Sequence, residues 1–353
     1  MTIVRPALAI MILLLLGGCS KDHRAAPRAI PPGARAAAVA VESVTYNGWP
    51  NSWRVRNASC ELVVVPAVSR VMRFALTGGQ NVLWENPELA GKTFPADDGT
   101  WHNIGGEKLW PTQQKDYFKK YTGHDGWPPP WPWDAGACRA DPIANGVRLI
   151  LPHDARFGAH IVREFTLDDA KPLVHVHQYI EKTEGPSTYM TVWTVCQANN
   201  PVTAFLPCTD GKFFHFDETS PQMQVKPGCV ALGRDEKRGL KIGVRPDGQN
   251  GWVAAVFKDA TAERQVMLVQ SHQVVTGAGA APYPDDGLQA ELYTSPKNFA
   301  NYTEMELLGP LTSVPAGKRL EDDAVWQLIP IAGNADHVGI ATAAHREALD
   351  RLR

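Results

Sequence analysis

Apolar and polar residues alternate along most of the chain in short runs separated by turn residues, the period-two signature of half-buried strands. The pattern predicts strands over Val41–Tyr46, Ser52–Val55, Ala58–Pro66, Val68–Leu76 and Val82–Trp84, and Trp101–Trp110 then leads into an aromatic loop. Four successive strands follow at Gly146–Leu151, His160–Leu167, Leu173–Lys182 and Tyr189–Gln197. Eight more are expected at Phe213–Phe216, Cys229–Leu232, Leu240–Val244, Gly251–Phe257, Val266–Ser271, Leu288–Tyr293, Tyr302–Leu308 and Ala324–Ile331. A helical pattern occurs only at the end, over His337–Leu352, with Asp336 as N-cap, and its simplest role is to cover a sheet edge. Many short strands with frequent turns define an all-β sandwich or barrel.

Side chains alternate across a sheet, so single strands can be read face by face. In Tyr302–Leu308, Tyr302, Glu304 and Glu306 share one face, opposite Thr303, Met305 and Leu307. Two carboxylates above an apolar face suit a polar cavity over a packed core. In Met190–Gln197, Trp193 and Gln197 point the same way, towards one pocket. His175 and His177 form an HxH pair, but no third metal ligand is identifiable.

The N-terminus breaks the strand pattern. Arg5 precedes an apolar run, Ala7–Leu16, too short for the roughly 20 residues of a spanning helix. Leu16-Gly17-Gly18-Cys19 resembles a bacterial lipobox, which implies cleavage before Cys19 and lipidation of its thiol. Ser20 at the next position implies outer-membrane sorting in a Gram-negative host. The Ala/Pro/Arg-rich stretch to Ala40 reads as a tether. The expected organisation is a signal peptide (residues 1–18), lipidated Cys19 and tether (19–40), a β domain (41–335) and a terminal helix (336–353).

Charge and motifs exclude several chemistries. The formal net charge of −2 argues against nucleic-acid binding. GxSxG, the P-loop, GxGxxG after a strand and HExxH are all absent. Without CxxC, a structural zinc site is not supported, and neither metal nor cofactor is expected. Five cysteines remain besides Cys19, and Cys196 and Cys208 flank a turn across which they are candidates to pair.

Six of the eleven tryptophans fall between Trp84 and Trp133. Pro128, Pro129, Pro130 and Pro132 hold Trp127, Trp131 and Trp133 on an extended loop. Flat indoles with a polar edge suit the apolar faces of sugars, although such a loop also serves as an aromatic plug. The combination of indoles, amides, Lys108 and same-face carboxylates favours carbohydrate handling.

Ile104–Pro111 with Gln114, Gly126–Pro129 with Asp134, Trp193–Gln197, Tyr302–Pro310 and Pro315–Gly317 ahead of a Trp-containing strand together resemble the DUF4380 family of the galactose-mutarotase-like, or aldose 1-epimerase-like, superfamily. The resemblance spans about Val41 to Ile331. It implies a β-supersandwich that binds a sugar ring, with Glu306 in the place of the mutarotase base and Glu304 as its neighbour. Lys108 is the expected cation beside Glu306, and Lys108, His102 and His272 are the candidates for a substitute acid. Asn103, Trp110, Gln114, Trp127, Trp133, Asp134, Trp193 and Gln197 are the expected sugar contacts. The mutarotase histidines are unmatched, Ile104 standing at one of them. The expectation is therefore a monomeric, lipid-anchored carbohydrate binder of the cell envelope. An aldose 1-epimerase-like isomerase and a structural, partner-binding envelope protein are its rivals.

Overall fold

The structure, a computed structural model, describes residues 39–96, 100–112, 129–247, 250–258 and 264–352. Cys19, the lipobox, the tether up to residue 38, Gln114 and Trp127 lie outside the described residues, and Ala40, the last residue expected in the tether, already belongs to the first strand.

The described chain opens with β1 (Ala40–Tyr46), β2 (Trp49–Arg56), β3 (Cys60–Val65) and β4 (Arg70–Leu76), and β5 (Glu107–Trp110) joins the same sheet later. A meander of β6 (Arg139–Ile143), β7 (Gly146–Ile150), β8 (Ala159–Leu167) and β9 (Leu173–Lys182) belongs to a second sheet. Then come β10 (Thr188–Met190), β11 (Trp193–Asn199), β12 (Thr203–Pro207), β13 (Phe214–His215), β14 (Met223–Lys226) and β15 (Cys229–Leu232). The remaining strands are β16 (Leu240–Val244), β17 (Trp252–Lys258), β18 (Arg264–His272), β19 (Ala290–Thr294), β20 (Tyr302–Leu308), β21 (Thr312–Val314) and β22 (Lys318–Ala332).

Two ten-stranded antiparallel sheets result, ordered β1-β2-β3-β4-β5-β11-β20-β19-β16-β13 and β14-β15-β12-β17-β18-β22-β9-β8-β7-β6, with β10 and β21 paired separately. Their inner faces share one apolar core, in which Phe74 of the first sheet and Phe165 of the second both pack on Trp326. This is the expected all-β supersandwich, two stacked sheets with alternating inward side chains.

Three departures from the pattern have physical causes. The run Tyr189–Gln197 is two strands, because the chain changes partners at Thr191 and Val192, whose backbone bonds Pro111 and Gly309. β22 starts at Lys318 rather than Ala324: the charged segment pairs with β9, and Arg319 lies between Glu181 and Glu321 on a solvated face. The C-terminal helix, His337–Arg351, is capped by Asp336 as expected, but it covers a sheet face and not an edge. Its Ala341 and Ala344 pack on Trp252, Ala254, Met267 and Val269 of the central strands β17 and β18. Those strands are apolar on both faces, so the outer face needs a cover.

The Gly105-Gly106 pair has φ of 99° and 73°, and a Cβ on either residue would come within 2.3 to 2.4 Å of a backbone oxygen of Trp84 or Val71. Only glycine permits this approach, which seats β5 against its neighbours.

Candidate functional site

On β20 the residues Met305 and Leu307 point into the interlayer core, so Tyr302, Glu304 and Glu306 face the opposite way. Adjacent strands carry their polar residues to the same face. The register sets Lys108 of β5 opposite Val195 of β11, Val195 opposite Glu306, and Glu306 opposite Glu291 of β19. Tyr293 lies opposite both Glu304 and Lys241 of β16. Above this row is a cavity of about 290 Å³, with Glu304, Glu306 and Lys241 at its base and Trp101, Trp110 and Trp193 among its walls.

Each carboxylate has a different environment. Glu306 is buried, and its Oε2 accepts hydrogen bonds from Trp193 Nε1 at 2.9 Å and Lys241 Nζ at 3.1 Å. Lys241 also lies 2.6 Å from Glu291 Oε2. Burial alone would depress the Lys241 ammonium, but Glu291 and Glu306 outweigh it and hold it above its ordinary range. Burial pushes Glu291 well up, against the pull of Lys241. One ammonium therefore serves two buried carboxylates. Glu304 is only half-buried and accepts from Gln197 Nε2 at 3.0 Å. Burial pushes its carboxyl up to about 7; the charge of Glu306 adds to this, while Lys108 and Lys241 oppose it. A carboxyl that titrates near neutrality suits acid–base work or the recognition of a proton donor.

Trp193 and Gln197 do share a face, each on one glutamate, and Gln197 also donates to Asn103 Oδ1 at 2.9 Å. Trp110 walls the cavity edge-on to Trp193, with ring centroids 5.1 Å apart.

Other expected residues lie elsewhere. Lys108 is not the cation of Glu306; Lys241 is. The Lys108 ammonium is fully buried over Trp110 at 4.4 Å and Trp101 at 5.6 Å, and 3.9 Å from Asp134 Oδ1, without a hydrogen-bond partner among the described residues. Burial lowers its pKa to about 8. Asp134 does not open on the cavity: it accepts from Trp110 Nε1 and Arg70 Nη2, both at 3.0 Å, and fixes that indole. Trp133 packs in the core on Phe157 and donates to Pro152 O at 2.8 Å, so it fills the interior as a plug. His102 stacks on Phe94, and His177 pairs with Asp323. Among the described residues no cluster has metal-ligand composition. Cys196 and Cys208 do not pair, and all five described cysteines are free. The turn between them carries the chain from the first sheet to the second, so the two thiols part.

Lys241 and Glu291 escaped the sequence reading. Their signal was present: Glu291 and Tyr293 alternate with Ala290 and Leu292, the same pattern as on β20.

No family model and no curated protein matches the sequence. Solved structures do match in fold. A galactose mutarotase-like protein from Lactobacillus casei ATCC 334 is 9% identical, over 79% of this chain and 100% of that one, with a TM-score of 0.50. A proposed aldose 1-epimerase from Klebsiella pneumoniae subsp. pneumoniae MGH 78578 is 9% identical, over 88% of this chain and 87% of that one, at 0.52. A TPR-domain containing protein from Parabacteroides distasonis ATCC 8503 is 11% identical, over 81% of this chain and 48% of that one, at 0.52. The chain has a galactose mutarotase-like fold.

Proposed function

We propose that this protein is a carbohydrate-binding lipoprotein of the cell envelope, of the DUF4380 kind, with its sugar site on the face formed by β5, β11, β20, β19 and β16. The observation that carries the reading is the cavity itself: Glu304 and Glu306 at the base, indoles of Trp101, Trp110 and Trp193 around them. Indole faces take the C–H faces of a pyranose, and buried carboxylates accept its hydroxyls. Anchoring through Cys19 on the periplasmic side of the outer membrane rests on the lipobox and Ser20.

Turnover is a second reading, favoured by Glu304 and Lys108, whose pKa values are shifted towards neutrality. In anomerisation a carboxylate takes the anomeric hydroxyl proton as the ring C–O bond breaks, and an acid protonates the ring oxygen. Glu306 or Glu304 supplies the base. Among the described residues no histidine lines the cavity, and Lys108 lies behind Trp101 and Trp110. This arrangement supports binding over turnover.

Calorimetric titration of the purified full chain with aldoses tests the first reading, and exchange NMR between glucose anomers tests the second. Saturable binding without faster exchange is expected. Acceleration that disappears in Glu306→Gln would establish the isomerase instead. For the anchor, mass spectrometry of the membrane fraction should show a lipidated Cys19, and a mature protein with an unmodified Cys19 would refute it.

A further inference from the structure

The base of the cavity holds carboxylate acceptors that the described donors leave partly unpaired. Glu306 lines the cavity, and among the described residues its Oε1 is buried without a hydrogen-bond partner, as are Glu291 Oε1 and Gln197 Oε1 behind the lining. A buried acceptor without a donor is costly, so a ligand that brings protons removes a standing penalty. Charge points the same way. Glu291, Glu304, Glu306 and Asp134 share this region with Lys241, Lys108 and Arg70, which pairs with Asp134. Lys241 lies on Glu291 and Glu306, and Lys108 lies over the two tryptophans beside Asp134. Among the described residues Glu304 has no cation at ion-pair distance, yet it opens on the cavity. A sugar hydroxyl brings one donor and no charge. An ammonium brings three donors and the missing positive charge.

We infer that the cavity selects a sugar carrying a free amine, with the ammonium against Glu304 and the unpartnered Glu306 Oε1 as a second acceptor. This rests on the sugar-site reading above and narrows it to one substrate class. An anionic sugar meets the glutamates at the base of the cavity and is rejected.

Isothermal titration calorimetry of the purified full chain, near neutral pH, compares glucosamine, glucose, N-acetylglucosamine and glucuronate. A charge-assisted hydrogen bond in a half-buried site leads us to expect glucosamine to bind about tenfold more tightly than glucose. N-acetylglucosamine, which keeps the nitrogen but not its charge, should lose that advantage, and glucuronate should bind most weakly. In Glu304→Gln the ratio of glucosamine to glucose affinity should fall towards one. Glucose or N-acetylglucosamine binding as tightly as glucosamine in the wild-type chain would overturn the inference and leave the sugar site standing. So would an undiminished ratio in a folded Glu304→Gln. If none of the four sugars binds, the sugar-site reading fails as well. The wild-type panel decides even if the variant does not fold.

Discussion

Replacing Lys241 with methionine keeps most of the side-chain volume and removes the one ammonium that serves Glu291 and Glu306. The lysine side chain is 16% exposed, and its two partners are 0% and 1% exposed. Breaking a buried pair by deleting one partner costs about 3–5 kcal/mol, because the remaining charge loses its compensation. Two carboxylates are stranded here, and the ammonium's contact with the Trp193 ring, at 5.3 Å, is lost too, so the upper part of that range applies. The loss should depend on pH with a defined sign. Burial already pushes the Glu291 carboxyl up, and without Lys241 the pull that opposes this is gone, so folded Glu291 holds a proton that an unfolded glutamate, with a pKa near 4.3, does not hold at neutrality. A raised folded-state pKa stabilises fully below the unfolded value and loses that stabilisation as pH rises. The variant should therefore approach wild type near about pH 5 and show its full deficit near about pH 8. Guanidinium denaturation at both pH values measures this, with Lys241→Arg as the charge-retaining control. A deficit below about 1 kcal/mol at the higher pH, or one equal at both, would refute the shared-ammonium account.

Trp133→Ala should destabilise by about 3–5 kcal/mol by emptying a core site, and the thermal midpoint should drop while sugar affinity changes little. Carbon-13 NMR of the Glu304 carboxyl, assigned by its loss in Glu304→Gln, should give a midpoint near 7 in the free protein, set chiefly by burial. Because that pKa is raised on folding, Glu304 withdraws stability as pH climbs from its unfolded value through about 7, so Glu304→Gln should gain most relative to wild type on the alkaline side. Cys60 and Cys196 are buried, and burial pushes both thiols up, so neither should react with a maleimide until the chain is unfolded. Intact-mass analysis without reductant should find no Cys196–Cys208 bond.

The fold class was legible because a strand's period is local: Tyr302, Glu304 and Glu306 had to share a face whatever lay beside them. The same rule put Trp193 and Gln197 together, and the structure shows each bonded to one of those glutamates. Strand neighbours are not local. Lys241 reaches Glu306 across 65 positions of sequence because β19 lies between β16 and β20, an order the alternation of apolar residues does not encode. Lys108 shows the converse. It stands in the right motif, but the tertiary structure surrounds it with Trp101, Trp110 and Asp134 and leaves the glutamates to another lysine. Trp133 and Asp134, read as ligand contacts from their aromatic loop, became a core plug and an indole anchor, since burial depends on what packs opposite. The helix at the end was fixed by its own cap and composition. Where it docks was decided by β17 and β18, whose outer faces are apolar and require a cover. The sequence determines which side chains share a strand face; the order of strands in the sheet decides which charges meet, because Coulomb attraction and desolvation depend on distance in space.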